Sequence, residues 1–193
     1  MRIIRTIVIS DFHGYNRTFE VLLSLTGYNP VCDKLVLLGD YVDGGPASLE
    51  LVMRVRQLTE NPNVKAIGGN HDDMFLRWLD KKEYPFLKYT SYSEEINFLR
   101  KLPNYWEDDR LIYVHGGIDP TQNDWKLTLN KIFRWIRERF HRNDGKLPTN
   151  KTIVFGHEIC SRLHKDDTNF NHGLVDKSLA LTEVLSMGSN LMH

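Results

Sequence analysis

The amino-acid sequence predicts an α/β fold, in which short β-strands alternate with α-helices. Runs rich in Ile and Val, such as residues 3–10 (IIRTIVIS), alternate with longer amphipathic segments such as residues 46–60, a pattern typical of this class. The chain has 193 residues, of which 41% are hydrophobic and 26% charged, as expected for one globular domain with its own core. Polar residues follow each predicted strand, which places the chemistry at one edge of a sheet.

Strands and helices follow one another along the whole chain. The first strand is rich in β-branched residues, and the helix at 16–27 that follows it ends at Gly27, a residue favoured at helix C-termini. Pro46 opens the second helix at its first turn, and the fourth helix ends before Pro103. The other predicted strands are 34–38, 64–69, 110–117 and 151–158, and the predicted helices are 16–27, 46–60, 72–82, 93–102 and 125–141.

Charge and composition argue against several classes of partner. Lys plus Arg equals Asp plus Glu, at 25 each, which disfavours nucleic acid and membrane surfaces as partners. The N-terminal apolar run is too short for a signal peptide, and no stretch reaches membrane-spanning length. Cys32 and Cys160 lie far apart beside apolar runs and are interpreted as free thiols. We therefore expect a cytoplasmic protein.

The segment 39–46 (GDYVDGGP) concentrates two carboxylates, Asp40 and Asp43, and three glycines directly after an apolar strand. Asp and Gly favour turns, but a cluster of unpaired carboxylates at a strand end is costly unless a cation neutralises it. The polar residues after the other strands are Asp11 and His13, Asn70 and His71, His115, and His157. Five strands that deliver Asp, Asn and His to one edge favour a metal site over isolated turns.

The fragments SDFHG, GDYVDGG, GGNHDD, YVHGG and FGHE, in this order, resemble the motifs of the calcineurin-like metallophosphoesterases. Among these they are most similar to the small bacterial and phage-type phosphoprotein (serine/threonine) phosphatases. The resemblance extends from Asp11 to about Asn169. It implies a four-layer α/β/β/α sandwich, in which two mixed sheets are flanked by helices and the site lies at the carboxyl ends of the strands.

The resemblance also implies two divalent metal ions. Mixed His and carboxylate ligation favours Mn²⁺, with Fe or Zn²⁺ as alternatives, over Ca²⁺. By motif position the first ion has three ligands and the second has four, with one shared: Asp11, His13 and Asp40, then Asp40, Asn70, His115 and His157. Together the ions would lower the pKa of a bound water, so that hydroxide attacks phosphorus.

The same resemblance assigns roles to residues beyond the ligands. His71 would be the general acid, with Asp43 orienting it, because the reference pKa of imidazole lies near neutral pH. The two arginines of the family pattern, which contact phosphate, are replaced here by Gly44 and Gly68. The segment 135–138 (WIRE) is similar to a segment of the phage-type relatives, which makes Arg137 a candidate phosphate ligand.

The predicted helix at 125–141 leaves an alternative for that arginine. Arg137 could instead be a surface residue on an amphipathic helix. Arg134 and Arg139, on the same helix, are expected on its solvated face, and His141 is expected at the surface.

Residues 1–171 are interpreted as the metallophosphoesterase domain and residues 172–193 as an atypical C-terminal tail. Relatives end with a strand of the form I-D-G-G-A-x-Y-G-x-x-L-N, whereas this chain ends in HGLVDKSLALTEVLSMGSNLMH. Back-translated in a shifted frame, the tail can encode a close match to that strand, so we hypothesise a frameshift near Asn171–His172. Loss of the last strand would expose a sheet edge and invite self-association, while the tail itself has helix propensity.

Three functions remain open at this level. The leading one is a serine/threonine protein phosphatase-like enzyme that acts on phosphorylated proteins. The second is a diadenosine polyphosphate hydrolase or another small phosphodiesterase, which acts on a small phosphoester. The third is a catalytically impaired metal-binding module, because both arginines are missing. His71 and Asp43 favour catalysis, since a structural metal site has no use for that pair.

Overall fold

The computed structural model describes residues 5–81, 92–143, 145–158, 172–175 and 178–181. The strands are β1 (Arg5–Ile9), β2 (Asp33–Leu37), β3 (Val64–Ala66), β4 (Tyr105–Glu107), β5 (Leu111–Val114), β6 (Thr152–Phe155), β7 (His172–Val175) and β8 (Ser178–Leu181). The α-helices are α1 (Asn16–Leu25), α2 (Ser48–Leu58), α3 (Asn70–Lys81), α4 (Ser93–Lys101), α5 (Asn130–Trp135) and α6 (Glu138–His141). A 3₁₀-helix spans Trp125–Leu127.

The strands form two sheets. β1, β2 and β3 form a parallel sheet with β2 in the centre, where Ile7 pairs with Leu35. The second sheet has the order β4-β5-β6-β8-β7; its three inner strands are parallel, and β4 and β7 are antiparallel edge strands. Because parallel strands share the direction of their carboxyl ends, the loops after them meet at one edge of each sheet.

The core consists of three apolar clusters that define four layers. The first lies between the first sheet and α1–α4, and the last lies between the second sheet and α5 and α6. Between the two sheets, side chains of both pack into a buried cluster: Val36, Leu38, Ile67, Tyr113 and Val154. The α/β/β/α sandwich implied by the resemblance is therefore confirmed.

One predicted helix is wrong as a single element. The segment 125–141 is divided into the 3₁₀-helix, α5 and α6. Leu129 and Ile136 interrupt it because their backbones are extended, and Gly116 packs against the carbonyl oxygen of Ile136, 3.1 Å from where a Cβ would be. Packing against the loop after β5 thus overrides a helical pattern. β4 was not predicted, since a three-residue strand carries little periodic signal.

The tail also differs from expectation. β8 pairs in parallel with β6, and β7 pairs with β8, so the edge of β6 that was expected to be exposed is covered. Residues 178–181 are strand rather than helix, because propensity differences below about 1 kcal/mol per residue yield to ladder hydrogen bonds. The edge of this sheet is then β7 instead of β6, and self-association through a sheet edge stays a prediction. The frameshift stays a prediction, which sequencing of the coding DNA would test.

The described helices and Cys32 bear on two predictions from the sequence, the lack of a membrane-spanning stretch and the free cysteine thiols. Among the helices of the described ranges, none is long and apolar enough to cross a membrane. Cys32 is a free thiol, as predicted, and it is half-buried. Cys160 lies outside the described residues.

Asp33, the first residue of β2, gives the fold a measurable pH dependence. Its buried Oδ2 accepts hydrogen bonds from Arg5 Nε (3.2 Å), Arg5 Nη2 (3.0 Å) and the backbone N–H of Asn29 (2.9 Å). The hydrogen bonds from Arg5, and then that from Asn29, hold the pKa of Asp33 below its ordinary value of 3.8. The contribution of ionised Asp33 to the free energy of unfolding is therefore complete above the pKa of the unfolded state. It is lost as the pH falls through the lower pKa of the folded state.

We expect Asp33→Asn to flatten the acid limb of the stability curve. Urea unfolding at about pH 6 and about pH 3 would show a larger loss of unfolding free energy in the parent protein than in the variant. Equal losses in the two proteins would contradict this assignment.

Candidate metal centre

Strained backbone marks the loops that follow β1, β2 and β6. Left-handed φ angles cost a non-glycine residue roughly 1–2 kcal/mol, and such strain concentrates at functional sites. Within the described residues, the non-glycine positions with positive φ are all predicted site residues: Asp11 (60°), His13 (47°), Asp40 (57°), Asp43 (76°) and His157 (67°).

Asp40 is the centre of the arrangement. It is 1% exposed and belongs to two groups of potential ligand atoms, one with His13 and His71 and the other with His115 and His157; within each group the atoms lie within 4.8 Å of one another. Its Oδ2 is 3.3 Å from His115 Nε2 and 3.8 Å from His13 Nε2. Asp40 therefore stands where a carboxylate shared by two cations would stand.

The histidines present the correct nitrogen to a cation. His115 Nδ1 donates to the carbonyl of Leu38 (2.8 Å), and His13 Nδ1 donates to the carbonyl of Val42 (3.3 Å). Because each Nδ1 is held by a carbonyl, each Nε2 faces Asp40 and can act as a ligand. His157 Nε2 is buried and has no hydrogen-bond partner, which a bound cation would explain. The donor set therefore fits divalent metal ions.

Electrostatics support the same fit. Burial is the main cause that raises the pKa of Asp11. The charge of His115 opposes this rise, and the charge of Asp40 adds to it. Burial and Asp40 likewise raise the pKa of Asp72 to about 6. Burial would lower the pKa of His115, but Asp40 and Asp11 raise it to about 9. The carboxylates of Asp40 and Asp11 thus favour a proton on the imidazole, and a cation bound beside it would replace that proton.

Asn70 and His71 begin α3, and both turn towards these ligands. Asn70 Oδ1 is 2.8 Å from His115 Nε2, and the backbone N–H of His71 donates to Asp40 Oδ1 at 2.9 Å. His71 Nδ1 is 2.9 Å from Asp43 Oδ2, so the structure brings the predicted acid and its orienting carboxylate together.

Among the predicted Asp and His ligands, Asp11 is the one that belongs to neither group of atoms. It is buried at the same edge, where its Oδ2 accepts the backbone N–H of His157 at 3.1 Å. A Cβ at Gly156 would lie 2.6 Å from that oxygen, so glycine allows the loops after β1 and β6 to approach. The contact fixes His157, and metal ligation by Asp11 stays a prediction.

The amino-acid sequence also matches the profile of a known protein family. The profile of the calcineurin-like phosphoesterases matches residues 4–175. The chain belongs to the calcineurin-like phosphoesterase family. Proteins of this family use divalent metals, which agrees with the ligand groups around Asp40.

Curated proteins similar to this calcineurin-like phosphoesterase include dinucleoside tetraphosphatases. Symmetrical bis(5'-nucleosyl)-tetraphosphatases of Yersinia pestis and Yersinia pseudotuberculosis are 38% identical over 137 residues, which is 66% of this chain and 46% of theirs. The chain spans about half the length of the curated relatives it matches.

Solved structures show the fold alone, because their sequence identities are low. A protein provisionally assigned as a diadenosine tetraphosphatase has a TM-score of 0.68 at 21% identity, covering 92% of this chain and 82% of that one. A serine/threonine phosphatase from Saccharomyces cerevisiae has a TM-score of 0.61 at 19% identity, covering 92% and 66%.

Asp72 is a residue of this phosphoesterase that sequence reasoning did not assign to the site. It is 1% exposed, and its carboxylate accepts backbone N–H groups of Asp40 (3.0 Å), Tyr41 (2.9 Å) and Gly69 (2.8 Å). It therefore ties the loop after β2 to the loop before α3. The signal was the acidic residue directly after Asn70-His71 in the GGNHDD segment.

The glycines that replace the family's arginines have different structural reasons. Gly44 has φ +110°, a conformation that an arginine would rarely adopt. At Gly68 an added Cβ would lie 2.6 Å from the guanidinium carbon of Arg134. Arg134 is therefore not on a solvated face as expected: it is buried, and it donates to Asp73 Oδ1 (2.6 Å) and to the carbonyl of Leu102 (3.1 Å).

Arg137 lies beside the centre on the side of His157. Its side chain is 44% exposed, and Nη1 donates to Glu158 Oε2 at 2.6 Å. Burial is the main cause that lowers the pKa of His157 to about 2, and the positive charges of His115 and Arg137 lower it further. The expectation of a surface position for His141 is wrong, because that ring is buried and stacks on Phe155 at 4.9 Å.

Proposed function

We propose that this chain is a metal-dependent phosphoester hydrolase whose substrate is a symmetrical dinucleoside tetraphosphate. The observation that supports hydrolysis is the carboxylate of Asp40 shared by two ligand groups, with His71 and Asp43 paired beside it. The tetraphosphatases of Yersinia, at 38% identity, support the substrate. The likeness to a serine/threonine phosphatase is one of fold at 19% identity. The diadenosine polyphosphate hydrolase, the second function considered from the sequence, is therefore preferred to the protein phosphatase.

Two divalent ions would be held by the residues predicted from the motifs. Asp40 would be shared, His13 would bind on one side, and His115 and His157 would bind on the other, with Mn²⁺ as the proposed metal. Asp11 and Asn70 would complete the two sets. When bound, the ions supply a water of lowered pKa and positive charge for the phosphate oxygens.

The protein's own side chains supply a proton and its orientation. With His71 Nδ1 held by Asp43 Oδ2 at 2.9 Å, Nε2 is left to donate a proton to the leaving oxygen. The backbone N–H of His71 donates to Asp40 Oδ1, so the acid has a fixed place relative to the shared carboxylate. A nucleoside diphosphate is a weaker base than an alkoxide and needs that proton less.

His71→Asn should lower kcat by about 10²–10⁴-fold on an alkyl phosphoester. We expect the loss to lie near the lower end for diadenosine tetraphosphate, because its leaving group needs less protonation. Steady-state kinetics on both substrates measure the difference, and a thermal shift with Mn²⁺ should match that of the parent protein. Unchanged turnover on the alkyl ester would remove His71 from the mechanism.

The substrate is tested by a panel assayed with Mn²⁺: diadenosine tetraphosphate, a phosphoserine peptide and p-nitrophenyl phosphate. We expect the tetraphosphate to have the highest kcat/KM and to yield two molecules of ADP, as symmetrical cleavage requires. A higher kcat/KM on the peptide would restore the protein-phosphatase interpretation. Absence of turnover on all three would favour a metal-binding module.

A further inference from the structure

Two glycines after β5 fix the backbone around Arg137. A Cβ at Gly116 would lie 3.1 Å from the carbonyl oxygen of Ile136, and a Cβ at Gly117 would overlap the ring of Phe140. The segment on both sides of Arg137 therefore packs directly on the loop after β5, which also carries a candidate ligand. As a result the Cα of Arg137 has a defined place beside the centre.

The side chain of Arg137 is held by an unusual partner. Glu158, which accepts from Arg137 Nη1 at 2.6 Å, directly follows the candidate ligand His157. Its backbone N–H donates to the carbonyl of Gly156 at 2.8 Å. The carboxylate side chain is 10% exposed, whereas the arginine side chain is 44% exposed. The carboxylate is thus the enclosed, fixed member of the pair, and the guanidinium is the member that a ligand can reach.

A guanidinium can serve two anions at once. It has five N–H donors in a planar fork, so a carboxylate on one side leaves donors for a phosphate oxygen on the other. A lone carboxylate next to a centre that binds a polyanion would repel it. Glu158 is tolerated there because Arg137 neutralises it.

We propose that Glu158 is a positioning residue that holds the Arg137 guanidinium at the rim of the metal centre, where it contacts a substrate phosphate. The proposal rests on the proposed function, because it requires a phosphate-bearing ligand at this centre. It does not depend on whether the ligand is a dinucleotide.

A double-mutant cycle tests the proposal with p-nitrophenyl phosphate as substrate and inorganic phosphate as competitive inhibitor. Arg137→Ala should raise KM and Ki about 10–100-fold, the range of a charged hydrogen bond, with a smaller change in kcat. Glu158→Ala should raise both about 3–10-fold. The double variant should bind phosphate no worse than Arg137→Ala, because Glu158 assists phosphate binding through the arginine and repels phosphate without it.

Two outcomes would overturn the proposal. A lower KM in Glu158→Ala would mean that the carboxylate competes with phosphate for the arginine. Independent, multiplicative effects in the double variant would mean that Glu158 does not act through Arg137. If Glu158→Ala does not fold, Glu158→Gln replaces it in the cycle; it keeps an acceptor oxygen, so a rise in KM of about 3-fold that vanishes in the Arg137→Ala background is expected.

The chain offers a matched control pair and a second readout. Arg100 and Asp80 form a surface ion pair, with Arg100 Nη1 3.1 Å from Asp80 Oδ2 and an arginine side chain that is 42% exposed, and Arg100→Ala with Asp80→Ala should leave KM and Ki unchanged. Calorimetric titration of the Mn²⁺-loaded protein with inorganic phosphate reports Arg137 and Glu158 even if no tetraphosphate is cleaved. Failure of the substrate assignment is thereby separated from failure of this proposal.

Discussion

Replacement of Asp40 by asparagine should nearly abolish metal-dependent hydrolysis while the fold is retained. Asparagine tolerates the left-handed φ of 57° found at this position, and its amide oxygen can still accept the backbone N–H of His71. The amide nitrogen would then face the Nε2 atoms of His13 and His115 and cannot bind a cation. Because metal ions contribute several kcal/mol to such reactions, we expect kcat/KM to fall by about 10³-fold or more.

Metal binding gives this experiment a readout besides activity. A ligand that binds only the folded protein raises its melting temperature, so Mn²⁺ should stabilise the parent protein and not Asp40→Asn. Asp119→Asn is a matched control: Asp119 is also buried, but it accepts from Thr121 Oγ1 (2.7 Å) and pairs with Arg139 outside both ligand groups. An undiminished Mn²⁺ shift in Asp40→Asn would rule out the shared-ligand role.

Asp72→Asn should cause the largest loss of stability among the substitutions considered. Asp72 Oδ2 accepts from the backbones of Asp40 and Gly69, and Oδ1 accepts from that of Tyr41. Whichever oxygen becomes an NH₂ group, a donor then faces at least one buried donor. Each buried donor left unpaired costs about 1–3 kcal/mol, so we expect the free energy of unfolding to fall by about 2–5 kcal/mol.

Denaturant unfolding measures this loss directly. Asp80→Asn, on the same helix α3, is the control, because Asp80 is 56% exposed and pairs with Arg100 at the surface; its effect should stay below about 1 kcal/mol. We also expect Asp72→Asn to weaken Mn²⁺ binding, since the loops that carry Asp40 and Asn70 would no longer be held together. A urea midpoint equal to that of the parent protein would show that the carboxylate does not hold these loops.

The sequence was most informative where residue type and strand end coincide. His115 follows an apolar run directly, and Asp40 and His157 follow one after a single glycine; parallel strands bring such positions to one edge whatever the details of packing. The pairing of His71 with Asp43 was also predictable, because both positions belong to the same family pattern. The first feature depends on local sequence and strand direction alone, whereas the second depends on the resemblance to the family.

Burial of Arg134 and His141 was not predictable from the helical pattern. Arg134 occupies space that Gly68 leaves open, and these residues are separated by α3, α4 and two strands in the chain. Contacts of this kind decide whether a polar residue on an amphipathic segment meets solvent or core. The break in the helix at 125–141 has the same origin in distant packing.

The substrate was harder to predict than the centre, for a physical reason. The motifs that bind metals and phosphate serve every branch of the family, because a phosphoryl group makes the same demands in each. What distinguishes a peptide from a dinucleotide lies in residues that contact the rest of the substrate, and the motifs do not include them. The substrate proposed for this chain therefore rests on its similarity to curated tetraphosphatases, whereas the proposed hydrolysis rests on the motifs.

The hydrogen bond from His157 to Asp11 has a consequence for biosynthesis. It joins residues 146 positions apart, and the contacts of His115 with Leu38 and Asn70 span 77 and 45 positions. A chain emerging from the ribosome can pack β1–β3 with their helices early, but it has no complete centre until β6 has been made. Contacts of such separation form late and slowly, so metal loading belongs to the end of folding, after nearly the whole domain has been synthesised.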